Sequence, residues 1–279
     1  MFKHFVITRF NLKKKDWVTN KNNVEVLTDE WHYNRFRLFN DFCLSTISNQ
    51  TNKNFEWLVY FDSSTKAEFR AIISDIEAKL PNFKPFFVDG MDAYLPAIQS
   101  YIKASDADYV ITSRLDNDDS VSKDYIDIIQ QQFIEKPFLA IDFINGYTLN
   151  TSKPYRLGKK LHQFNPFISL IEKNDNPMTV WSKTHGNWKK EKNLIQIKDH
   201  RIWCSIIHTE NKVNEFTGYD AVNLEHFFKR FTFSSTTEES IRHDFQDQSH
   251  WTLLSTKNKM LSNYKYYRRK LKKQLGFYK

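Results

Sequence analysis

Apolar and polar positions change rhythm along the chain in a way that predicts alternating strands and helices through its first half. Residues 4–10, HFVITRF, form a short apolar run that reads as a strand. A polar stretch rich in Lys and Asn follows. Thr28, with Asp29 and Glu30 behind it, then predicts a helix start, and Phe36, Phe39, Cys43 and Ile47 recur at helical spacing. FEWLVYF, residues 55–61, predicts a second strand. The next helix is introduced by Thr65 with Glu68 three later, the spacing of a capping box, and carries Phe69, Ile72, Ile73, Ile76 and Leu80 as one apolar stripe up to Pro81. Residues 84–88 predict a third strand, 94–104 a helix, and 109–115, YVITSRL, a fourth strand. A further helix, capped by Ser122, carries Ile126, Ile129 and Phe133.

Beyond residue 138 the rhythm changes. FLAIDFINGYTL, NPFISLIE, LIQI and IWCSII read as strands joined by polar loops with few helices between them. Strand and helix alternation indicates an α/β fold with a mostly parallel, doubly covered sheet, and the second half is expected to extend it with antiparallel strands. Residues 1–256 are read as one domain, with 1–137 as a ligand-binding half and 138–256 as its complement. No internal repeat or low-complexity segment interrupts it. In such sheets, ligands bind beyond the carboxyl ends of the strands.

Charge alters this picture only at the C-terminus. The formal charge is +8, but nine of the 41 Lys and Arg fall in residues 257–279, which contain no Asp or Glu; the other 256 residues hold 32 basic and 33 acidic groups. The body is neutral and the tail basic. From Leu261, the apolar residues Tyr264, Tyr267, Leu271, Leu275 and Tyr278 fall on one helical stripe among Lys265, Arg268, Arg269, Lys272 and Lys273. A basic amphipathic helix with tyrosines suits an anionic membrane surface; the competing expectation is a terminal helix packed on the domain. Two cysteines, Cys43 and Cys204, are too few for a disulfide framework, which points to a reducing cytoplasm. The N-terminal apolar run is too short for a signal peptide, and no run of about 18 uncharged apolar residues predicts a span.

The chemistry concentrates in RLDNDD, residues 114–119, where Asp116, Asn117, Asp118 and Asp119 follow the fourth strand. Two carboxylates one residue apart at a strand end can converge on Mg2+ or Mn2+, with substrate phosphates completing the shell. A helix-initiating turn would use the same residue types. VYFDSST, residues 59–65, places a second carboxylate, Asp62, at a strand end, where it could accept hydrogen bonds from a base or ribose or simply organise its loop.

FVITRFN, the stretch WHYNRFRLFNDFCLSTISNQTNKNFEWLVYFD, and TSRLDNDDSVSKDY together resemble the rhamnosyltransferase family of bacterial glycosyltransferases, which is related to the family-2 nucleotide-sugar enzymes of GT-A fold. The likeness runs from about residue 4 to about residue 215. RLDNDD resembles that family's D-x-D motif, FDSST its acidic base-side site, and HRIWCSIIHTENKVN its W-x-x-x-x-H-x-x-N element. The resemblance implies a Rossmann-like nucleotide-diphospho-sugar transferase using Mn2+ or Mg2+. Thr8, Arg9 and Phe10 would border the base and ribose, Asp62 the base or ribose, Asp116 the ribose or metal, and Asp118 the metal. Arg114 would pair with the aspartates or approach the phosphates, and His208 would complete the metal shell or touch the diphosphate, with His185 as the second choice.

Such an enzyme would move a sugar, rhamnose by the family's label, from a nucleotide-diphosphate donor to a glycan or lipid-linked acceptor in surface or capsular polysaccharide, with inversion by analogy. Inversion needs a base for the acceptor hydroxyl. Asp119, Asp199, Glu210 and Asp220 are the candidates, and spacing does not separate them. Two other classes compete. A metal-dependent phosphohydrolase would need a nucleophilic aspartate on an early strand, where this chain has Thr8, Arg9 and Phe10. A nucleic-acid-binding protein is favoured by the tail alone, and the neutral body argues against a specific nucleic-acid partner.

Overall fold

A computed structural model describes residues 1–14, 19, 25–211 and 214–277 of the chain. The first half runs β1 (Phe2–Arg9), α1 (Asp29–Leu38), a π-helical turn (Phe39–Leu44), α2 (Ser45–Ser48), β2 (Glu56–Asp62), α3 (Ala67–Lys79), β3 (Phe83–Val88), α4 (Gly90–Lys103), β4 (Tyr109–Arg114), β5 (Ser120–Val121) and α5 (Tyr125–Gln130). The second half runs β6 (Phe138–Phe143), β7 (Asn145–Asn150), β8 (Arg156–Leu161), β9 (Ser169–Lys173), β10 (Leu194–Ile197), β11 (Trp203–Ile207), α6 (Leu224–Phe228), α7 (Ser235–His243) and α8 (Thr252–Gln274).

Seven strands form the main sheet in the order β10-β6-β9-β4-β1-β2-β3. β3, β2, β1 and β4 are mutually parallel, and β9 enters antiparallel to both β4 and β6. β10 pairs parallel with β6. The extension therefore reverses at one strand and then resumes the original direction. This is the mostly parallel α/β sheet that the strand and helix alternation predicts, with one antiparallel strand set into it. A second sheet, β5-β11-β7-β8, is mixed: β11 runs parallel to β7 but antiparallel to β5.

Strand periodicity explains the double covering. Along β1 and β2, Val6, Trp57, Val59 and Phe61 pack with Phe36, Phe39, Cys43 and Ile47 and with Phe69, Ile73 and Ile76 of α3. The alternate residues Phe5, Ile7, Leu58 and Tyr60 pack with Tyr94, Ile98 and Ile102 of α4 on the opposite face. A further core joins Leu149, Leu157, Cys204 and Ile206 of the second sheet to Phe227, Phe228, Phe231 and Ile241. Both cysteines are buried and free.

Several local expectations change. Thr28 caps α1 by accepting from Trp31 N–H, as its sequence predicts. Thr65 does not cap α3, which begins at Ala67; its hydroxyl instead donates to the Asp62 carbonyl and accepts from Asn11 Nδ2. Ser122 bonds to the Asp124 carboxylate rather than to a helix N–H, and α5 begins at Tyr125 and ends before Phe133. The four-residue-spaced stripe after Phe36 survives a π-turn, to which Thr46 Oγ1 of α2 donates back at the carbonyl of Phe42. β5, β8, α6 and α7 lie outside the sequence-based expectations because they are short or polar. α8 begins at Thr252, five residues before the basic run.

Candidate active site

The site begins with strand register. Ile7 of β1 pairs with Arg114 of β4, so Phe10 and the loop Asp116–Asp119 leave the sheet at the same edge. Leu115 N–H donates to the Ile7 carbonyl, and Asn117 Nδ2 donates to the Phe10 carbonyl at 2.9 Å. Asp119 then fastens this loop to the second sheet. It is 3% exposed, and its Oδ1 accepts from Ile206 N–H at 2.9 Å. Burial, together with the neighbouring Asp118 and Asp116, pushes its carboxyl well above the usual range and favours the neutral form.

That clamp brings the end of β11 over the loop. His208 Nε2 lies 3.0 Å from Asp118 Oδ2, while Arg35 Nη1, from α1, reaches the same oxygen at 2.7 Å. Glu210 N–H donates to His208 Nδ1 at 3.2 Å, and Asn211 Nδ2 lies 2.9 Å from Nε2, the ring nitrogen that faces Asp118. Burial opposes ionisation of Asp118, but the Arg35 guanidinium and the His208 bond outweigh it and hold the carboxyl well below its usual range. Asn211 Oδ1 accepts from His208 N–H at 2.8 Å and ties the last two residues of the element together, while Trp203 Nε1 donates to the Phe143 carbonyl in the core.

Around these groups lies a cleft of about 270 Å³ lined by Arg9, Phe10, Arg35, Arg114, Asp116 and Asp118, with Trp31, Asn117, Pro166, His185, Glu210, Asn211 and Asn214 completing its wall. Arg114 pairs with Asp116 at 3.2 Å and stacks over Trp181, with its guanidinium carbon 4.0 Å from the ring centroid. Arg9 also lies over Trp181, at 5.6 Å. The Nε atoms of Arg35 and Arg114 are buried without a protein partner. Three guanidiniums thus face two aspartates, with two buried donors unused. That arrangement suits a polyanionic ligand.

The expected residues divide accordingly. Arg9, Phe10, Arg114, Asp116, Asp118, His185 and Glu210 line the cleft, and His208 reaches it through Asp118. Thr8 does not: it is fully buried and accepts from Trp57 Nε1 at 2.9 Å. Asp62 accepts from the N–H groups of Lys13 and Ser64 and from the Ser64 hydroxyl, which is the loop-organising alternative, and it is absent from the cleft wall. Asp199 is exposed, and Asp220 is held by Lys259 at 2.9 Å on the α8 side; neither lines the cleft. Glu210 differs from the other base candidates. Its Oε2 is buried without a partner, and it also lines an adjoining cavity of about 610 Å³ walled by Thr151, Ser152, Thr237 and Ser240.

Sequence reasoning missed Arg35, Trp31 and Trp181, and met Asn211 only as the last position of the W-x-x-x-x-H-x-x-N element. A signal for Arg35 was present: a basic residue on the same α1 face as Trp31 and Leu38, which would be costly to bury without a carboxylate partner.

The residues also permit a test of metal fit. For Asp118 and His208 to share one divalent cation, their hydrogen bond would be exchanged for ligand bonds and the ring would carry its proton on Nδ1, giving up the Glu210 N–H contact. Carboxylate oxygens with one imidazole suit Mg2+ or Mn2+ when phosphate oxygens fill the remaining positions. Among the described residues, no three His, Cys, Asp or Glu side chains are grouped to hold a metal unaided. The set fits an ion bridged by a diphosphate.

A buried carboxylate beneath the cleft wall gives stability a pH dependence. Asp142 accepts from Phe164 N–H, Asn165 Nδ2 and Gln196 Nε2, fixing the turn whose Phe164 carbonyl accepts from His185 Nδ1. Burial pushes its carboxyl up to about 7, despite those donors. Folded above unfolded, this pKa adds stability that is fully present below about pH 4 and lost as pH rises toward 7. Its share is at most about 1.4 kcal/mol per pH unit. Urea titrations between pH 4 and 7 are expected to show a flatter pH slope for Asp142→Ala than for wild type; parallel slopes would refute it.

Compared with known proteins, residues 3–219 match the model of a family described as "Putative rhamnosyl transferase". No curated protein matches. Among solved structures, residues 1–349 of S. aureus TarS are similar at 13% identity and TM-score 0.42, covering 73% of this chain and 60% of that one. A mannosyltransferase from Pyrobaculum calidifontis, solved in complex with GDP-Man and Mn2+, is similar at 8% identity and TM-score 0.44, covering 75% and 58%. The chain therefore spans about 60% of the length of these proteins.

Proposed function

The chain belongs to the family described as "Putative rhamnosyl transferase", and from that premise we propose that it transfers a sugar from a nucleotide-diphosphate donor held in the Arg9, Arg35 and Arg114 cleft. The observation that carries this reading is the pair of buried, unpartnered guanidinium Nε donors beside Asp116 and Asp118 at the carboxyl ends of parallel strands. Arg35 and His208 keep Asp118 ionised and oriented. Arg114, stacked on Trp181, and Arg9 are placed to meet diphosphate oxygens, and Phe10 offers an apolar edge to the nucleoside.

Asp118, with Asp116 and His208, would hold Mg2+ or Mn2+, and such an ion supplies Lewis-acid neutralisation of the leaving diphosphate. Glu210 is our choice for the base that takes the acceptor hydroxyl's proton in an inverting transfer. It sits between the donor cleft and the hydroxyl-lined cavity with an unused carboxylate oxygen. Rhamnose as the sugar follows the family's description, and a surface or capsular polysaccharide as the product is part of the same proposal. The phosphohydrolase alternative has no support here, because the end of β1 offers Arg9 and Phe10 to the cleft.

Calorimetric titration of UDP and dTDP, with and without Mn2+, tests the donor site. Wild type is expected to bind at least one nucleotide, more tightly with Mn2+, and Arg114→Gln to lose most of that affinity. A folded wild-type protein that binds neither at millimolar concentration refutes the reading.

We further propose that α8 seats the enzyme on an anionic membrane surface. No helix among the described residues is long and apolar enough to cross a membrane. Yet α8 is docked backwards: Ser255 and Asn258 bond to the body, while Leu253, Met260, Tyr264, Tyr267 and Leu271 form a solvent-facing stripe. Tyr278, expected on that stripe, lies outside the described residues. Tyr267→Ser with Leu271→Ser is expected to reduce partitioning onto phosphatidylglycerol vesicles in sedimentation assays. Equal partitioning of variant and wild type would count against a membrane role.

A further inference from the structure

A second cavity, of about 400 Å³, lies between the end of β8 and the inner face of α8. Lys160, Lys265 and Arg269 line it, with exposed Glu215 as the one acidic residue among the described lining. Elsewhere on α8 a cation finds a carboxylate, as Lys259 finds Asp220. These three form no salt bridge among the described residues; Arg269 Nη1 donates only to the Gln163 carbonyl, at 3.1 Å. Burial pushes the Lys160 amine below its ordinary pKa, and nearby Asp119 opposes that shift. Burial and then Lys160, Arg269, His185 and Lys265 together hold His162, which also lines the cavity, well below its ordinary pKa.

A neutral acceptor accompanies the cations. Gln163 is 5% exposed and lines the cavity; its Nε2 donates to Gln196 Oε1 at 3.0 Å, while its Oε1 is buried with no donor. The cavity also adjoins the donor cleft. Asn214 lines both, and the rings of His162 in one and His185 in the other lie edge to face at 6.3 Å.

We propose that this cavity is an acceptor subsite for a phosphorylated sugar, whose phosphate meets Lys160, Lys265 and Arg269 and whose hydroxyl donates to Gln163 Oε1. Lys265 and Arg269 beside one exposed carboxylate, with the buried Lys160 amine as a third donor, match a dianion better than a neutral glycan or a single carboxylate. The assignment to an acceptor rests on the donor reading of the Arg9, Arg35 and Arg114 cleft. α8 then has two working faces, a basic inner one toward the acceptor and an apolar outer one.

The test titrates glucose 1-phosphate and glucose into full-length protein with UDP saturating the donor cleft. Glucose 1-phosphate is expected to bind at least about tenfold tighter than glucose, and Lys160→Gln and Lys265→Gln each to weaken it by about tenfold while UDP binding stays unchanged. Lys265 is exposed, so its variant keeps the test valid if Lys160→Gln fails to fold. Equal binding of the two sugars, unchanged binding in the folded variants, or binding that disappears when UDP occupies the donor cleft would each overturn the proposal. Phosphatidylglycerol vesicles separate the other source of phosphate. If Lys160→Gln and Lys265→Gln lose vesicle binding while wild type ignores glucose 1-phosphate, the cavity serves lipid headgroups and the proposal fails. If UDP itself does not bind, the donor reading fails, and the same sugar titrations without UDP still decide the cavity's chemistry.

Discussion

Asp118→Asn is expected to lower the transfer rate by about a hundred- to a thousand-fold, the range for removing one preorganised electrostatic group from a reacting centre. The variant is nearly isosteric, but it removes the charge that Arg35 and His208 converge on at 2.7 and 3.0 Å. Arg35 is then left 6% exposed beside an amide, with its strongest partner gone. The arrangement proposed to orient the diphosphate loosens, and a divalent ion held as proposed would lose the Asp118 carboxylate. Rates with a radiolabelled nucleotide sugar, alongside nucleotide titrations with and without Mn2+, measure both effects. Mn2+ is expected to stop strengthening nucleotide binding in the variant. A rate within a few-fold of wild type would show that Asp118 only organises its loop.

Glu210→Gln is expected to lower kcat by about a hundred- to ten-thousand-fold, the usual worth of a general base, with UDP affinity preserved. The split between rate and binding identifies the role. Glu210 meets the donor cleft through its wall but holds no bond to Arg9, Arg35 or Arg114 among the described contacts, so losing its charge should spare the nucleotide. Asp199→Asn is the comparison, since that residue is exposed and away from the cleft. Equal losses in both variants, or none in Glu210→Gln, would remove Glu210 from the mechanism.

These two residues also show where sequence reasoning reached its limit. The D-x-D run and its place after a strand were legible because alternating apolar runs set the strand ends, and carboxylates there stand out. The four base candidates were not separable, because an acid's usefulness depends on what it touches. Asp119, sequence neighbour of Asp118, spends its carboxylate on the backbone of β11. Glu210, remote in sequence, keeps an unpaired oxygen. Thr8 failed for a simpler reason: strand side chains alternate faces, so Thr8 points to Trp57 inside the core while Arg9 points the other way and lines the cleft; Phe10, past the strand end, belongs to the Trp57 core and meets the cleft from there.

By itself the sequence determined the α/β alternation, the parallel first half, the strand-end aspartates, the late His208 element and the amphipathic basic helix, because periodicity and local spacing encode all of these. Only the tertiary structure decided that Arg35 ion-pairs with Asp118, that Asp62 organises its own loop, and that α8 docks with its apolar stripe outward over a basic cavity. Those outcomes depend on which distant segments share a strand register or a helix face. Arg35 and Asp118 are 83 residues apart, and only the placement of α1 beside the loop after β4 brings them to 2.7 Å.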